Sequence, residues 1–335
     1  MPPDILIVRF SAIGDILLLT PLLRALRRRH PDAGITVVTR EGFAPLLAHN
    51  PRISQVIGWE DTRTLASLGQ ELKGRGFSHR LDLHGSLRSL ALRRHVGGSW
   101  FTYPKHRVAR TVLIKTRRNV YQDPRPVAER YFDAAKDLDV TPDDGSLEMF
   151  LSRPTLDAAE QFLAARGIGS VRQLIALAPG AAHFTKRWPL HHWTALVRRL
   201  VEHGNDVVVV GGPEDRELAL AVAEAGAERA VSAAGAFDLP GSAAVLKRAR
   251  ALVAGDTGVM HMATAVGTPV LALFGPTVEP FGFFPYHAKA TVLQRDLYCR
   301  PCSAHGGPKC PEVHHRCLQD LTPEDVLDAL RKLPR

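Results

Sequence analysis

The stretch Gly255-Asp256-Thr257-Gly258-Val259-Met260-His261 constrains this chain more than any other. An apolar run, residues 251–254, leads straight into it, and an apolar helical pattern over 260–266 leads out. A second apolar run, 269–274, follows and is closed by Gly275-Pro276-Thr277. Strand, polar turn, helix, strand is a βαβ unit, the crossover that parallel strands require. In an open parallel sheet such a turn lies at the carboxyl ends of the strands, where these folds bind ligands. A turn that opens a helix also presents backbone N–H groups suited to an anion such as a phosphate. Asp256 and Thr257 are equally ordinary N-cap residues, so the turn alone fits both a ligand site and a plain helix cap.

The same rhythm recurs along the chain. Residues 5–10 are a short apolar run, a first strand for a parallel sheet. Ser11-Ala12-Ile13-Gly14-Asp15 follows, then a helical pattern over 16–29. Gly14 allows a tight turn and close approach of backbone to a ligand. The spacing is not G-x-G-x-x-G, which argues against a dinucleotide site. Asp15 reads either as an acid in the first turn of a helix or as a carboxylate displayed at the ligand edge. Strands are expected at 35–39, 55–58 (an edge) and 79–83, with helices at 43–49 and 62–75. The last of these strands opens into His84-Gly85-Ser86-Leu87-Arg88. Residues 101–122 read as mobile loop and short helix, 124–138 as helix, 147–151 as strand and 155–166 as helix. Alternating strands and helices specify an α/β chain with doubly wound parallel sheets.

A second βα series begins with a strand at 174–177. It continues through Ala178-Pro179-Gly180-Ala181 and Phe184-Thr185-Lys186-Arg187-Trp188-Pro189. Lys186, just past a strand end, can neutralise a phosphate as a point charge, while Trp188-Pro189 pins the loop where the helix 191–203 starts. After a strand at 206–210 comes Gly211-Gly212-Pro213-Glu214-Asp215; Asp215 could meet a ribose or simply end a tight turn. Helices are expected at 240–249 and 322–333, the latter with Thr322 as N-cap and Pro323 in first position. A chain of 335 residues is long enough for two domains, here 1–155 and 171–320, with a closing helix over 321–335.

Charge separates the halves. Residues 1–155 hold 24 Lys and Arg against 16 Asp and Glu; residues 156–335 hold 19 against 18. Between Leu83 and Gln122 there is no acidic residue but there are nine basic ones: Arg88, Arg93, Arg94, Lys105, Arg107, Arg110, Lys115, Arg117 and Arg118. Such a surface either attracts anionic partners or is a solvated basic face. Few aromatics accompany it and no nucleic-acid motif is present, which argues against nucleic acid as partner. The amino terminus lacks a cationic segment followed by an apolar one, and no apolar run suits a membrane span, so a cytoplasmic location is expected.

All four cysteines, Cys299, Cys302, Cys310 and Cys317, fall in one short segment. In a cytosolic chain such clustering suits a structural zinc or iron site. A Cys299–Cys302 redox pair, disulfides or free thiols fit as well, and His305, His314 and His315 are further candidate ligands.

Four motifs occur in order: Ser11-x-x-Gly14-Asp15, Pro179-Gly180-Ala181 with Lys186-Arg187-Trp188-Pro189, Gly211-Gly212-Pro213, and Asp256-Thr257-Gly258-Val259-Met260-His261. The set, spanning nearly the whole chain, resembles the family 9 glycosyltransferases, the ADP-heptose:lipopolysaccharide heptosyltransferases. The second and fourth motifs are more similar to heptosyltransferase II than to heptosyltransferase I. The resemblance implies a GT-B fold, in which two Rossmann-like domains face a cleft and the closing helix packs back on the first. It implies inverting transfer of a heptose from an ADP-sugar to the inner core of lipopolysaccharide, with no metal or other catalytic cofactor. By the same resemblance Asp15 is the general base. Lys186, Arg187, Asp215, Asp256, Thr257, Gly258 and His261 hold the donor, and Ser11, Gly14 and Arg88 the acceptor. An anionic, lipid-linked acceptor matches the basic first half and implies peripheral contact with the cytoplasmic face of the inner membrane. Ala181 and Ala182 stand where some relatives carry hydroxyl residues, which shifts phosphate binding toward backbone amides and Thr185. The cysteine cluster occurs in only part of the family and leaves room for another nucleotide sugar or a different acceptor.

Overall fold

A computed structural model of the chain describes residues 1–169 and 171–334. The chain forms two compact units. The first holds Met1–Lys105 and Arg125–Phe150, the second His106–Pro124 and Leu151–Arg335.

In the first unit five parallel strands, β1 (Asp4–Val8), β2 (Gly34–Arg40), β3 (Gln55–Trp59), β4 (His79–Asp82) and β5 (Phe101–Thr102), lie in the order β3-β2-β1-β4-β5. Ile5 to Val8 are fully buried, as expected of a central strand covered on both faces. The order reverses between β1 and β4, where Val8 pairs with Asp82. The expected helix over 16–29 is two helices, Ile13–Leu17 and Thr20–Arg29. Pro21 accounts for the break: it lacks an N–H and fits only a first turn. Gly14 therefore sits inside a helix and is not the turn residue expected. Residues 147–151 form no strand. Leu147 and Met149 are buried alternately as in a strand, but the Glu148 amide donates to the Thr20 hydroxyl at 2.9 Å, not to a sheet neighbour.

In the second unit β6 (Leu174–Ala178), β7 (Asp206–Val209), β8 (Ala230–Ser232), β9 (Ala251–Gly255), β10 (Val270–Phe274) and β11 (Ala290–Gln294) are parallel in the order β11-β10-β9-β6-β7-β8. Here the reversal falls between β6 and β9. Both units are thus doubly wound Rossmann-like sheets.

Two boundaries differ from expectation. Residues 106–124, which contain the helix Arg107–Thr116, belong to the second unit, so the acid-free basic stretch is shared between the units. The closing helix Pro323–Lys332 is likewise part of the second unit. Its Val326, Leu327 and Leu330 join Trp193, Leu196 and Leu200 of helix Leu190–Glu202 in that core. Its start is as expected, with the Thr322 hydroxyl accepting from the Asp325 amide at 3.2 Å. No helix among the described residues is long and apolar enough to cross a membrane.

Candidate functional site

Each sheet carries a charged pair at its point of reversal, where two adjacent strands send their following loops apart and leave room for a ligand. In the first unit β1 runs into Arg9, the one charge in an otherwise apolar stretch. Arg9 is buried, pairs with Asp15 at 2.5 Å and donates to the Leu83 carbonyl at 2.5 Å, so it ties the end of β1 to the end of β4. Burial works against its charge most strongly of any single cause, but Asp15, Tyr131 and Tyr103 together outweigh it and raise its pKa. The second Asp15 oxygen accepts from the Ala12 amide at 3.4 Å, reaching back across the start of helix Ile13–Leu17. Asp15 therefore serves both roles open in the sequence: a first-turn acid, and a carboxylate at the carboxyl edge of the sheet. The hydroxyl of buried Tyr131 donates to the Asp15 carbonyl at 3.4 Å.

The loop after β4 is shaped by Asp82, whose Oδ1 accepts from the amides of His84 (3.0 Å) and Gly85 (2.8 Å) and whose Oδ2 accepts from Ser89 (3.0 Å). Gly85, with φ of 55°, takes the left-handed conformation this turn requires. The His84 ring packs edge-on against Phe10, and Phe10 against Trp59. Arg88 is exposed and lies over the Trp59 ring at 5.3 Å. Burial first, then Arg9 and Lys105, push the His84 imidazole down to about 4. Arg9, Asp82 and His84 were not among the sequence candidates for the site. The one charged residue closing an apolar strand was the signal for Arg9.

In the second unit the loop after β6 and the turn after β9 meet. Lys186 Nζ lies 2.6 Å from Asp256 Oδ2 and donates to the Asp256 carbonyl at 3.1 Å. Asp256 is buried, and its Oδ2 also accepts from the Thr277 hydroxyl at 2.7 Å. Arg300 in turn donates to the carbonyls of Gly275 (2.5 Å) and Thr277 (2.8 Å), holding that loop. The plain-cap reading fails: Thr257 occupies the N-cap position of helix Gly258–Ala265 but its side chain makes no capping bond. Its buried hydroxyl has no partner among the described residues. Gly258 opens the helix, and His261 lies buried within it. Arg187 Nε donates to the Ala181 carbonyl at 2.8 Å, which closes the loop on itself. Asp215 lies against Gly180, where a Cβ would collide with its carboxylate, and accepts from the Gly212 amide at 3.1 Å. Burial raises its pKa, which that amide and Arg187 only partly offset. Trp188 is structural as expected, donating to the Leu321 carbonyl at 2.8 Å. Thr185 is unavailable to a phosphate: it is buried, and its hydroxyl exchanges bonds with Gly307 at 2.8 and 3.3 Å.

That last contact places the cysteine segment against the loop of Lys186, a neighbourhood the sequence did not disclose. His315 is buried there, its Nε2 3.1 Å from the Thr185 carbonyl. The four cysteines are free thiols. Burial above all holds Cys299, Cys302 and Cys317 in the protonated form, Cys317 up to about 12. Among the described residues no group of three or more His, Cys, Asp or Glu is placed to hold a metal ion, so the expected structural zinc or iron finds no support.

Two Rossmann-like units, each with polar loops gathered at its switch point, are the architecture of the GT-B class. The family model for glycosyltransferase family 9 (heptosyltransferase) matches residues 65–309. The lipooligosaccharide heptosyltransferase 2 of Haemophilus influenzae is 28% identical over 98% of this chain and 99% of its own length. The lipopolysaccharide heptosyltransferase 1 of Pseudomonas aeruginosa is 32% identical over 99% of this chain and 95% of its own. Among solved structures, the family 9 glycosyl transferase of Veillonella parvula superposes with a TM-score of 0.82 at 26% identity, covering 99% of this chain and 97% of that one. The ADP-heptose lps heptosyltransferase II of Escherichia coli does so with a TM-score of 0.76 at 26% identity, covering 98% of each. The chain belongs to glycosyltransferase family 9 and is a glycosyltransferase.

Proposed function

We propose that this enzyme transfers a heptose from ADP-heptose to the inner core of lipopolysaccharide. The names of its full-length relatives support this donor and acceptor. In this reading an acceptor hydroxyl attacks the anomeric carbon while Asp15 takes its proton, and ADP leaves with the electron pair of the broken C–O bond. A single displacement inverts the anomeric centre. General-base assistance of this kind is worth about 10²–10⁴-fold.

The observation that carries the reading is the Lys186–Asp256 pair at the second switch point. An ammonium has three N–H donors. Two point to the carboxylate and carbonyl of Asp256, which aims the third. A cation so aimed, with the Thr257 hydroxyl that has no partner among the described residues and the amides that open helix Gly258–Ala265, suits a diphosphate that gains charge as it leaves. Asp215 is the candidate partner of the ribose, Arg187 and His261 support the donor side, and Ser11, Gly14 and Arg88 the acceptor side. No metal takes part in this scheme. An anionic lipid-linked acceptor places the enzyme peripherally on the cytoplasmic face of the inner membrane.

The test is incubation with ADP-heptose and a panel of other nucleotide sugars, using as acceptors lipopolysaccharide truncated before its heptoses and lipopolysaccharide truncated after the first heptose. Mass spectrometry reads the added sugar and NMR the anomeric configuration, with and without chelator. Transfer from ADP-heptose alone, inverted and chelator-resistant, is expected. Transfer from a different donor would overturn the sugar assignment, and retention would overturn the single displacement.

A further inference from the structure

His84 follows β4 at the switch point of the first sheet, whose neighbouring strand β1 leads to the helix that carries Asp15. Its backbone is clamped from both sides. Asp82 accepts from its amide at 3.0 Å, and the Lys105 ammonium donates to its carbonyl. Its ring is fixed edge-on to Phe10, with centroids 5.4 Å apart and planes at 77°. Yet its Nδ1 is buried and has no hydrogen-bond partner among the described residues. Leaving a buried polar atom unmatched costs about 1–3 kcal/mol. A clamped ring with an unmatched nitrogen at a ligand edge is the arrangement expected of a group whose partner arrives with the ligand.

The surroundings select the partner. The charged groups that act on the ring are Arg9 and Lys105, which oppose its protonation, and Asp82 and Asp15, which favour it less strongly. The imidazole is therefore neutral, with one donor and one acceptor nitrogen. A cationic ligand would be repelled by Arg9 and Lys105. A carboxylate matches only the donor nitrogen. A sugar hydroxyl, which both donates and accepts, matches either.

We propose that His84 binds a hydroxyl of the acceptor glycan next to the one that Asp15 deprotonates, and so selects a polyol acceptor in one orientation. This rests on the reading of Asp15 as the base of a glycosyl transfer. His84→Phe keeps the ring against Phe10 and removes both nitrogens; His84→Gln keeps a donor and an acceptor. The assays are steady-state transfer to, and calorimetric binding of, deacylated lipopolysaccharide truncated before its heptoses or after the first of them, whichever the enzyme extends. Donor affinity and melting temperature serve as controls.

The expected result for His84→Phe is an acceptor KM and Kd raised about tenfold with donor Kd unchanged, and His84→Gln should recover most of the loss. For the wild type, acceptor Kd should be flat between pH 6 and 8, because the ring is already neutral. An unchanged acceptor Kd in His84→Phe would overturn the proposal. So would equal losses for donor and acceptor, or an acceptor affinity that falls as pH rises through the ordinary histidine range. If Asp15→Asn still turned over, the base assignment would fall, while the binding measurement, which needs no turnover, would still decide for or against His84.

Discussion

Lys186→Ala tests two consequences of one ion pair. Lys186 and Asp256 keep only 15% and 9% of their side-chain surface exposed, and they meet at 2.6 Å. Removing the ammonium strands a buried carboxylate that retains the Thr277 hydroxyl. Breaking a buried pair from one side costs about 3–5 kcal/mol. In a unit of this size each kcal/mol lowers the melting temperature by about 2–4 °C, so a fall of roughly 6–20 °C is expected. The second consequence is the lost donor to the diphosphate. A hydrogen bond to a charged group contributes about 1.5–3 kcal/mol, or about 10- to 150-fold in the Kd for ADP. The double variant Lys186→Ala/Asp256→Asn separates the two effects. Its carboxamide carries no charge to strand, so much of the melting temperature should return while ADP binding stays weak. Differential scanning calorimetry and titration calorimetry with ADP read the outcomes. An unchanged Kd for ADP in the single variant would remove Lys186 from the donor site. A double variant no more stable than the single one would refute the stranded-charge argument.

Asp15→Asn keeps the shape of the side chain and should cut transfer by about 10²–10⁴-fold while leaving ADP affinity intact; near-normal turnover would exclude Asp15 as the base. The folded-state pKa of His84, about 4, lies below its ordinary 6.5, so between these values the unfolded chain binds more protons. Stability should fall as pH drops from about 6.5 to about 4, and urea midpoints of His84→Phe should lack that component. Cys317 has the opposite sign: its thiol is raised from 9.0 to about 12, so the unfolded state ionises first and stability should fall as pH rises through that window. The same burial predicts that Cys317 is alkylated at pH 8 far more slowly in the native protein than in urea, as mass spectrometry of the labelled peptides would show.

The elements readable in the sequence were those whose pattern is local. Central strands such as β1, β6, β9 and β10 are continuous apolar runs with turn residues behind them, and they form where the pattern places them. The short strand β8 and the edge strand β11 were missed: three residues give little periodicity, and Ala290 to Val292 are only half buried. Residues 147–151 show the converse, a strand pattern with no strand beside it. Of the candidate site, Asp15, Lys186 and Asp256 could be singled out because each falls, in the sequence pattern, between an apolar strand and the next helix, and the structure gives each an ion-pair partner. The partners that fix them could not. Arg9 reaches Leu83, Arg300 reaches Gly275 and Thr277, and Gly307 reaches Thr185, all across long sequence separations that no local pattern encodes.

The membership of residues 106–124 in the second unit means that the polypeptide passes between units three times, after Lys105, Pro124 and Phe150. A gene divided at residue 150 would therefore not yield two whole halves. The shorter product would carry the helix Arg107–Thr116 without the unit that completes it, including Phe281, over whose ring Arg110 lies at 5.5 Å. Isolating the first unit calls for excising that insert and joining position 105 to 125 with a linker, whereas the second unit needs the excised peptide supplied back. An exchange of units between relatives has to follow these three crossings, since one junction in the middle of the chain would graft part of one unit onto the other.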